Sequence, residues 1–399
     1  MYMELNIIDT FNTEKELHKN YPNDKKYSTS DILDYWDAFV EENKDLNIRD
    51  IVYHEIDRVQ SCRTPKLGGG IWECPNCGYS TYHFFTCKSR FCSTCGAKYS
   101  NQRVDKVLSV MFHAKHRHIT FTIAKELRKY FRYDRKMLNL LFDAVNYTLS
   151  SWAKEQNKKE EYTLGFIQVL HTFGRSINWN PHIHALVAEV AMGNTKIEKK
   201  MDFFPYSMLR KRFQTKLLNS MTQYIKKKHP NLYNEFRKIV NKIYKTSKNG
   251  FYVRAPKQQF KNIKGGLQYI LRYCGRPVFA SSRIISIKDN YITFWYQRHE
   301  DDKYVVEKIH IYEFIKRIIM HIQEKNFKTL RYYGFYSKHH KQEKNYTRIL
   351  NKEQYEMHRQ FTTWRMLALK AFQEDPYECK KCKGIMNLIK QFRPGEVFF

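Results

Sequence analysis

The 399-residue chain contains no apolar run long enough to cross a bilayer, no internal repeat and no long low-complexity linker. These absences exclude a helical membrane protein, a solenoid and a flexible scaffold. The opening stretch, MYMELNIIDTFNTEKELHKN, is too polar and acidic for a secretory signal, so the expected location is the cytoplasm. The phosphate-loop pattern GxxxxGK followed by Ser or Thr is missing as well, and with it the usual cradle for ATP. Acidic residues are scarce: 40 aspartates and glutamates face 70 lysines and arginines, a formal charge of +30 with a pI near 9.6. A polyanion is the expected partner.

A hydrophobic share of 42% argues for a folded protein, and the length allows two or three domains with real cores. The 29 tyrosines and 27 phenylalanines are mixed through the basic stretches. Phosphate neutralisation releases counterions and gives affinity without reading sequence, while exposed aromatics stack on unpaired bases. The mixture points to nucleic acid, including single strands.

In a reducing compartment the nine cysteines raise a question of metal ligation or packing rather than of disulfides. Six fall in CRTPKLGGGIWECPNCGYSTYHFFTCKSRFCSTCG, residues 62–96. Cys74 with Cys77 and Cys92 with Cys95 form two C-x2-C knuckles, each followed by glycine, with residues 78–91 between them. That spacing is close to a zinc ribbon, and it predicts one structural zinc held by these four thiolates. Cys87 and Cys62 are surplus to this tetrad; Cys87 or His54 could replace one ligand, or a second ion could bind. Cys379 and Cys382 near the C-terminus make a single knuckle that could join histidines such as His339 and His340, form half of an intermolecular site, or be a remnant. Cys274 is expected to pack.

Periodicity gives a coarse layout. SDILDYWDAFVEENKDL reads as a helix capped by Ser30, with Ile32, Trp36, Phe39 and Val40 on one face. A strand is expected over 118–123, helices over 125–158 and 206–246, a helix over 264–274, and short strands over 282–287, 291–297 and 303–309. YTLGFIQVLHTFG and PHIHALVAEV read as a hairpin joined by GRSINWN. The expected division is an N-terminal helical and zinc-binding module (1–115), a central domain (116–310) and a C-terminal basic region (311–399).

Two constellations carry chemistry. In NPHIHALV, His182 and His184 project from one face of a strand with Ile183 behind them, a geometry that suits two imidazoles on one metal ion. In GGLQYILRYCGRP, Tyr269 and Tyr273 lie four apart on a helix and share a face. A tyrosyl oxygen can attack a phosphodiester whose charge a divalent ion offsets.

Together with the zinc segment, LHTFGRSINWNPHIHALV, YILRYCGRP, RYYGFYS and CKKCKG, these motifs resemble the HUH endonucleases and, within them, the two-tyrosine rolling-circle transposases of the insertion-sequence-91 type. The resemblance covers most of the chain. It implies an α+β fold, with an antiparallel HUH nuclease sheet flanked by helices behind an N-terminal zinc-binding module. It also implies cutting and rejoining of single-stranded DNA at element ends through a 5′-phosphotyrosine, with Tyr273 attacking first and Tyr269 serving the second strand. A third metal ligand is needed. A hairpin turning near Ser176 brings His171 opposite His182, and Gln168 is the runner-up. Magnesium or manganese would serve the catalytic site and zinc the structural one, and host replication factors would expose the single strand. A plasmid replication initiator with the same chemistry and a non-catalytic zinc regulator are the rival readings.

Overall fold

The computed structural model describes residues 6–22, 27–93, 95–96, 114–157, 159–193, 198–254, 278–298, 300–337 and 375–396, with scattered positions between 102 and 112 and between 365 and 369. In chain order the strands are β1 (Ile7–Phe11), β2 (Gly69–Glu73), β3 (Ser80–Phe84), β4 (His116–Thr122), β5 (Thr163–Phe173), β6 (Trp179–Met192), β7 (Glu198–Lys200), β8 (Val253–Arg254), β9 (Ile284–Lys288), β10 (Tyr291–Gln297), β11 (Tyr304–His310), β12 (Leu330–Tyr333) and β13 (Asn387–Phe392). The helices are α1 (Glu14–Asn20), α2 (Thr29–Leu33), α3 (Trp36–Glu42), α4 (Asp50–Gln60), α5 (Arg128–Tyr133), α6 (Leu138–Lys154), α7 (Tyr206–Lys228), α8 (Tyr233–Thr246) and α9 (Ile311–Ile319). The protein is α+β with antiparallel sheets, as expected.

The central sheet has six strands in the order β12-β5-β6-β4-β8, with β7 pairing β6. Its long hairpin β5–β6 is buried on both faces, which explains why these strands read as nearly continuous apolar runs. Phe166, Leu170, Ile183, Ala185 and Val187 point to one face and pack beneath α6, α7 and α8. Ile167, Val169, Leu186 and Ala188 point to the other and meet Phe112, Phe335 and Tyr336. The approach of Phe335 depends on Gly334, which turns at φ +57 where a Cβ would lie 1.8 Å from the Leu164 carbonyl oxygen.

A second, four-stranded sheet runs β1-β11-β10-β9 and shares one core with α2, α3, α4 and α9. This core draws residues from all three expected segments, so packing does not follow the boundaries at 115 and 310. β1 lies on β11 because its edge is completed by a strand distant in sequence, a pairing that local periodicity cannot reveal. The N-terminal helix expected from Ser30 is two helices, capped at Ser28 by the Ser28–Asp31 capping box and interrupted at Asp34–Tyr35. Ile32, Trp36 and Phe39 are buried as expected. The helix expected over 264–274 lies outside the described residues.

Arg317, Glu307 and His321 are buried polar side chains of this region. Arg317 and Glu307 form an ion pair at 2.8 Å with side chains 1% and 0% exposed. Arg317→Leu strands the carboxylate, so stability should fall by about 3–5 kcal/mol, while Arg317→Leu with Glu307→Leu should recover most of the loss in chemical denaturation. His321 bridges the Thr172 hydroxyl and the Ile177 carbonyl, and burial, aided by Arg135 and Arg132 nearby, pushes its imidazole down to about 3. The unfolded chain takes up this proton near pH ~6.5, so the contribution of His321 is complete above that value and is lost as pH falls toward 3. His321→Gln should flatten the stability-against-pH curve across that window.

Candidate metal centre and cysteine centres

The β5–β6 register pairs His171 with His182 and Val169 with His184. All three histidines stand on one face of the sheet, and one nitrogen of each lies within 4.8 Å of the other two. His171 is buried; His182 and His184 are half-buried. The Nε2 atoms of His182 and His184 are 3.0 Å apart. Two nitrogens about 2.1 Å from a common ion and at right angles to each other stand about 3.0 Å apart, so this spacing fits a shared divalent cation.

The surrounding hydrogen bonds aim these nitrogens. His182 Nδ1 is 2.7 Å from the Asn180 carbonyl, an acceptor only, so Nδ1 carries the proton and Nε2 the lone pair. His184 Nδ1 meets His118 Nε2 at 2.7 Å and the Thr120 hydroxyl at 3.4 Å, which again turns Nε2 toward the shared point. His118 was not among the sequence candidates. Its strand β4 pairs Thr120 with His184 and Thr122 with His182, so His118 reaches its partner diagonally. The alternation His116, His118, Thr120 along β4 is the signal that could have flagged it. Burial pushes His118 down to about 4 and keeps it neutral. Next to it, His116 Nε2 is taken up by the buried Tyr336 hydroxyl at 2.6 Å.

Gln168, the runner-up ligand, does not join the group. It lies an odd number of residues from His171, so it points to the opposite face. There it is fully buried, and with its side-chain amide turned to match its neighbours it donates to the Phe142 carbonyl at 3.3 Å and accepts from the Asn146 amide at 3.2 Å on α6. Tyr269, Tyr273 and Cys274 lie outside the described residues, as do His339 and His340.

The eight described cysteines form two groups of four, and neither is the expected tetrad. Cys62, Cys87, Cys92 and Cys95 converge at one place; Cys74 and Cys77 converge with Cys379 and Cys382 at another. The reason is the β2–β3 hairpin. Cys74 and Cys77 occupy its tip, between Glu73 and Ser80, while Cys62 precedes β2 and Cys87 follows β3. Five-residue strands span roughly 17 Å, too far for one ion to bind both tip and base. At the base, Cys62 and Cys87 are drawn together by the Arg63 amide donating to the Phe85 carbonyl at 3.1 Å and the Cys87 amide donating to Cys62 Sγ at 3.4 Å. Cys87, expected as an additional ligand, is a member of this group, Cys62 completes it, and the exposed His54 does not join it. The near-symmetric placement of Cys62 and Cys87 around the tip knuckle is the sequence signal for this grouping.

Sulfur–sulfur distances of 3.6 Å for Cys62–Cys95, 3.6 Å for Cys87–Cys95 and 3.8 Å for Cys62–Cys92 match the edges of a tetrahedron. Four thiolates about 2.3 Å from zinc stand about 3.8 Å apart. The cysteine clusters therefore support structural zinc.

Comparison with known proteins matches two segments of the chain. A family model described as "Transposase zinc-binding domain" matches residues 31–123, and one described as "Putative transposase" matches residues 165–344. The second match contains the three histidines and both tyrosines. Two curated relatives are each 26% identical: "Putative transposase y4qJ" of Sinorhizobium fredii, over 72% of this chain and 74% of its own, and "Transposase for insertion sequence element IS801" of Pseudomonas savastanoi pv. phaseolicola, over 75% and 73%. No solved structure matches significantly. Among the described residues no helix is long and apolar enough to cross a membrane. With a zinc-binding segment and a transposase segment matched in that order along a single chain, the protein is similar to transposases of the insertion-sequence-91 type.

Proposed function

We propose that the protein is a DNA transposase that nicks and rejoins single-stranded DNA at the ends of an insertion sequence, in the rolling-circle manner, through a 5′-phosphotyrosine. The observation that most supports this reading is the convergence of His171, His182 and His184 on one face of the central sheet. A divalent ion held there would polarise the scissile phosphate and offset the charge that develops on it. Of magnesium and manganese, three nitrogen donors favour manganese, because magnesium demands oxygen.

The nucleophile is Tyr273, with Tyr269 serving the second strand. The phenolic oxygen attacks phosphorus and gives up its proton to solvent. The bond from phosphorus to the 3′ oxygen breaks, and that oxygen leaves as a hydroxyl. A later 3′ hydroxyl displaces the tyrosine, so the bond energy is conserved and no ATP is consumed. The segment carrying both tyrosines begins after Arg254, whose partner on β4 is Thr120, itself the partner of His184. Two strand spacings, about 10 Å, separate that departure point from the histidine centre. The +30 charge supports DNA as substrate, and host replication factors would supply it in single-stranded form.

The test is incubation of the full-length protein with manganese and single-stranded oligonucleotides from candidate element ends. A detergent-resistant protein–oligonucleotide adduct is expected. Tyr273→Phe should leave at most a residual adduct, and Tyr273→Phe with Tyr269→Phe none; an undiminished adduct in the double variant would place the nucleophile elsewhere. His182→Ala with His184→Ala should abolish cleavage while DNA affinity, spread over many lysines and arginines, barely changes. His118→Ala should weaken manganese binding about 10–100-fold, as loss of a partner that orients a ligand does, with cleavage restored at high manganese.

A further inference from the structure

The tip of the β2–β3 hairpin and the C-terminal CKKCKG lie some 300 residues apart in sequence, yet they meet as mirror halves of one site. Cys74 Sγ is 3.4 Å from Cys382 Sγ, and Cys77 Sγ is 3.7 Å from Cys379 Sγ. These separations suit thiolates sharing a tetrahedral ion, about 3.8 Å apart, and are far beyond the ~2.05 Å of a disulfide. The backbones of the two knuckles also match bond for bond. The Gly78 amide donates to the Cys74 carbonyl at 2.9 Å, and the Lys383 amide to the Cys379 carbonyl at 3.0 Å. The Cys74 amide donates to the Tyr79 carbonyl at 2.9 Å, and the Cys379 amide to the Gly384 carbonyl at 2.8 Å. Gly78 and Lys383, each one residue past its second cysteine, both adopt left-handed backbone, φ +66 and +64. A lysine accepts that conformation only where the surroundings enforce it.

Beyond the knuckles, β13 pairs along β2 from Asn387–Glu73 to Phe392–Gly69, making a three-stranded ribbon. At its base Phe392 is buried against Phe84, but toward the knuckles the packing is thin. Cys74, Cys379 and Met386 are the buried apolar residues of this cluster, with Trp72 and Tyr79 against them and Trp72 stacked on Tyr377 at 4.7 Å. Ile385, Leu388 and Ile389 are exposed. A ribbon with so small a core needs a staple.

We infer that Cys74, Cys77, Cys379 and Cys382 bind a second zinc ion, distinct from the one at Cys62, Cys87, Cys92 and Cys95, and that this ion clasps the C-terminal segment onto the N-terminal module. Cys379 and Cys382 lie outside both family-matched segments. The clasp rests on the cysteine geometry alone and stands or falls apart from the nuclease reading.

The experiment measures zinc in the full-length protein purified without added metal, together with limited proteolysis. Wild type should hold two zinc ions per chain. Cys379→Ser with Cys382→Ser, and separately Cys74→Ser with Cys77→Ser, should each hold one, and combining all four should remove no more. Both paired variants should release the segment after Asp375 to protease faster than wild type, while keeping the thermal transition of the remainder. Cobalt titration gives a readout independent of folding yield: wild type should saturate the thiolate charge-transfer band at two equivalents and either paired variant at one. A single zinc in wild type, two zincs retained in either variant, or a disulfide between the knuckles by mass spectrometry would overturn the inference.

Discussion

The antiparallel register of β5 and β6 is the constraint on which the rest of the candidate site depends. Side chains alternate with a period of two, so slipping the pairing by one residue would send His182 and His184 into the helix-covered core and bring Ile183 to the site. The turn fixes that register. Ile177, a β-branched residue at φ +64, is fully buried in the second core rather than in the core of its own sheet. Such backbone costs about 1–3 kcal/mol and persists only where neighbours over-determine it. Here the neighbours are His321, which donates to the Ile177 carbonyl, and Arg175, which reaches the Gln297 carbonyl at the end of β10. The second sheet thus holds the turn of the first.

The N-terminal module is tied into the same arrangement. Its helices share a core with β9, β10, β11 and α9, and the first cysteine group contributes Cys87, Cys92 and Cys95 to it. Arg90 extends from that segment to the Thr329 hydroxyl, just ahead of β12 on the central sheet. A metal centre at the hairpin base would therefore stiffen a region in contact with both sheets. A centre at the hairpin tip acts on the ribbon alone, and for that reason the two cysteine groups are expected to have separable consequences.

Much of the candidate site was legible because its determinants are local. The strand period alone places His182 and His184 on one face, and a short turn near Ser176 is enough to bring His171 across from His182. The same period excludes Gln168, whose odd offset from His171 sends it toward α6, so alternation along one strand suffices to separate the two candidate ligands. His118 was not legible. Its contact with His184 is a diagonal between residues 66 apart in the sequence, and nothing local specifies which strand lies beside β6.

The sequence by itself determined the chemistry present: three C-x2-C knuckles, a histidine pair on a strand, a basic and aromatic composition suited to nucleic acid, and strands among amphipathic helices. Each follows from spacing, alternation or composition over a few residues. Only the tertiary structure decided which cysteines share an ion and which segments share a core. The length of β2 and β3 separates Cys74 and Cys77 from Cys92 and Cys95, and the pairing of β13 with β2 brings Cys379 and Cys382 from the far end of the chain. Burial, unlike spacing, is a property of all the surfaces that meet, and β1 pairs with β11 across nearly three hundred residues of intervening chain.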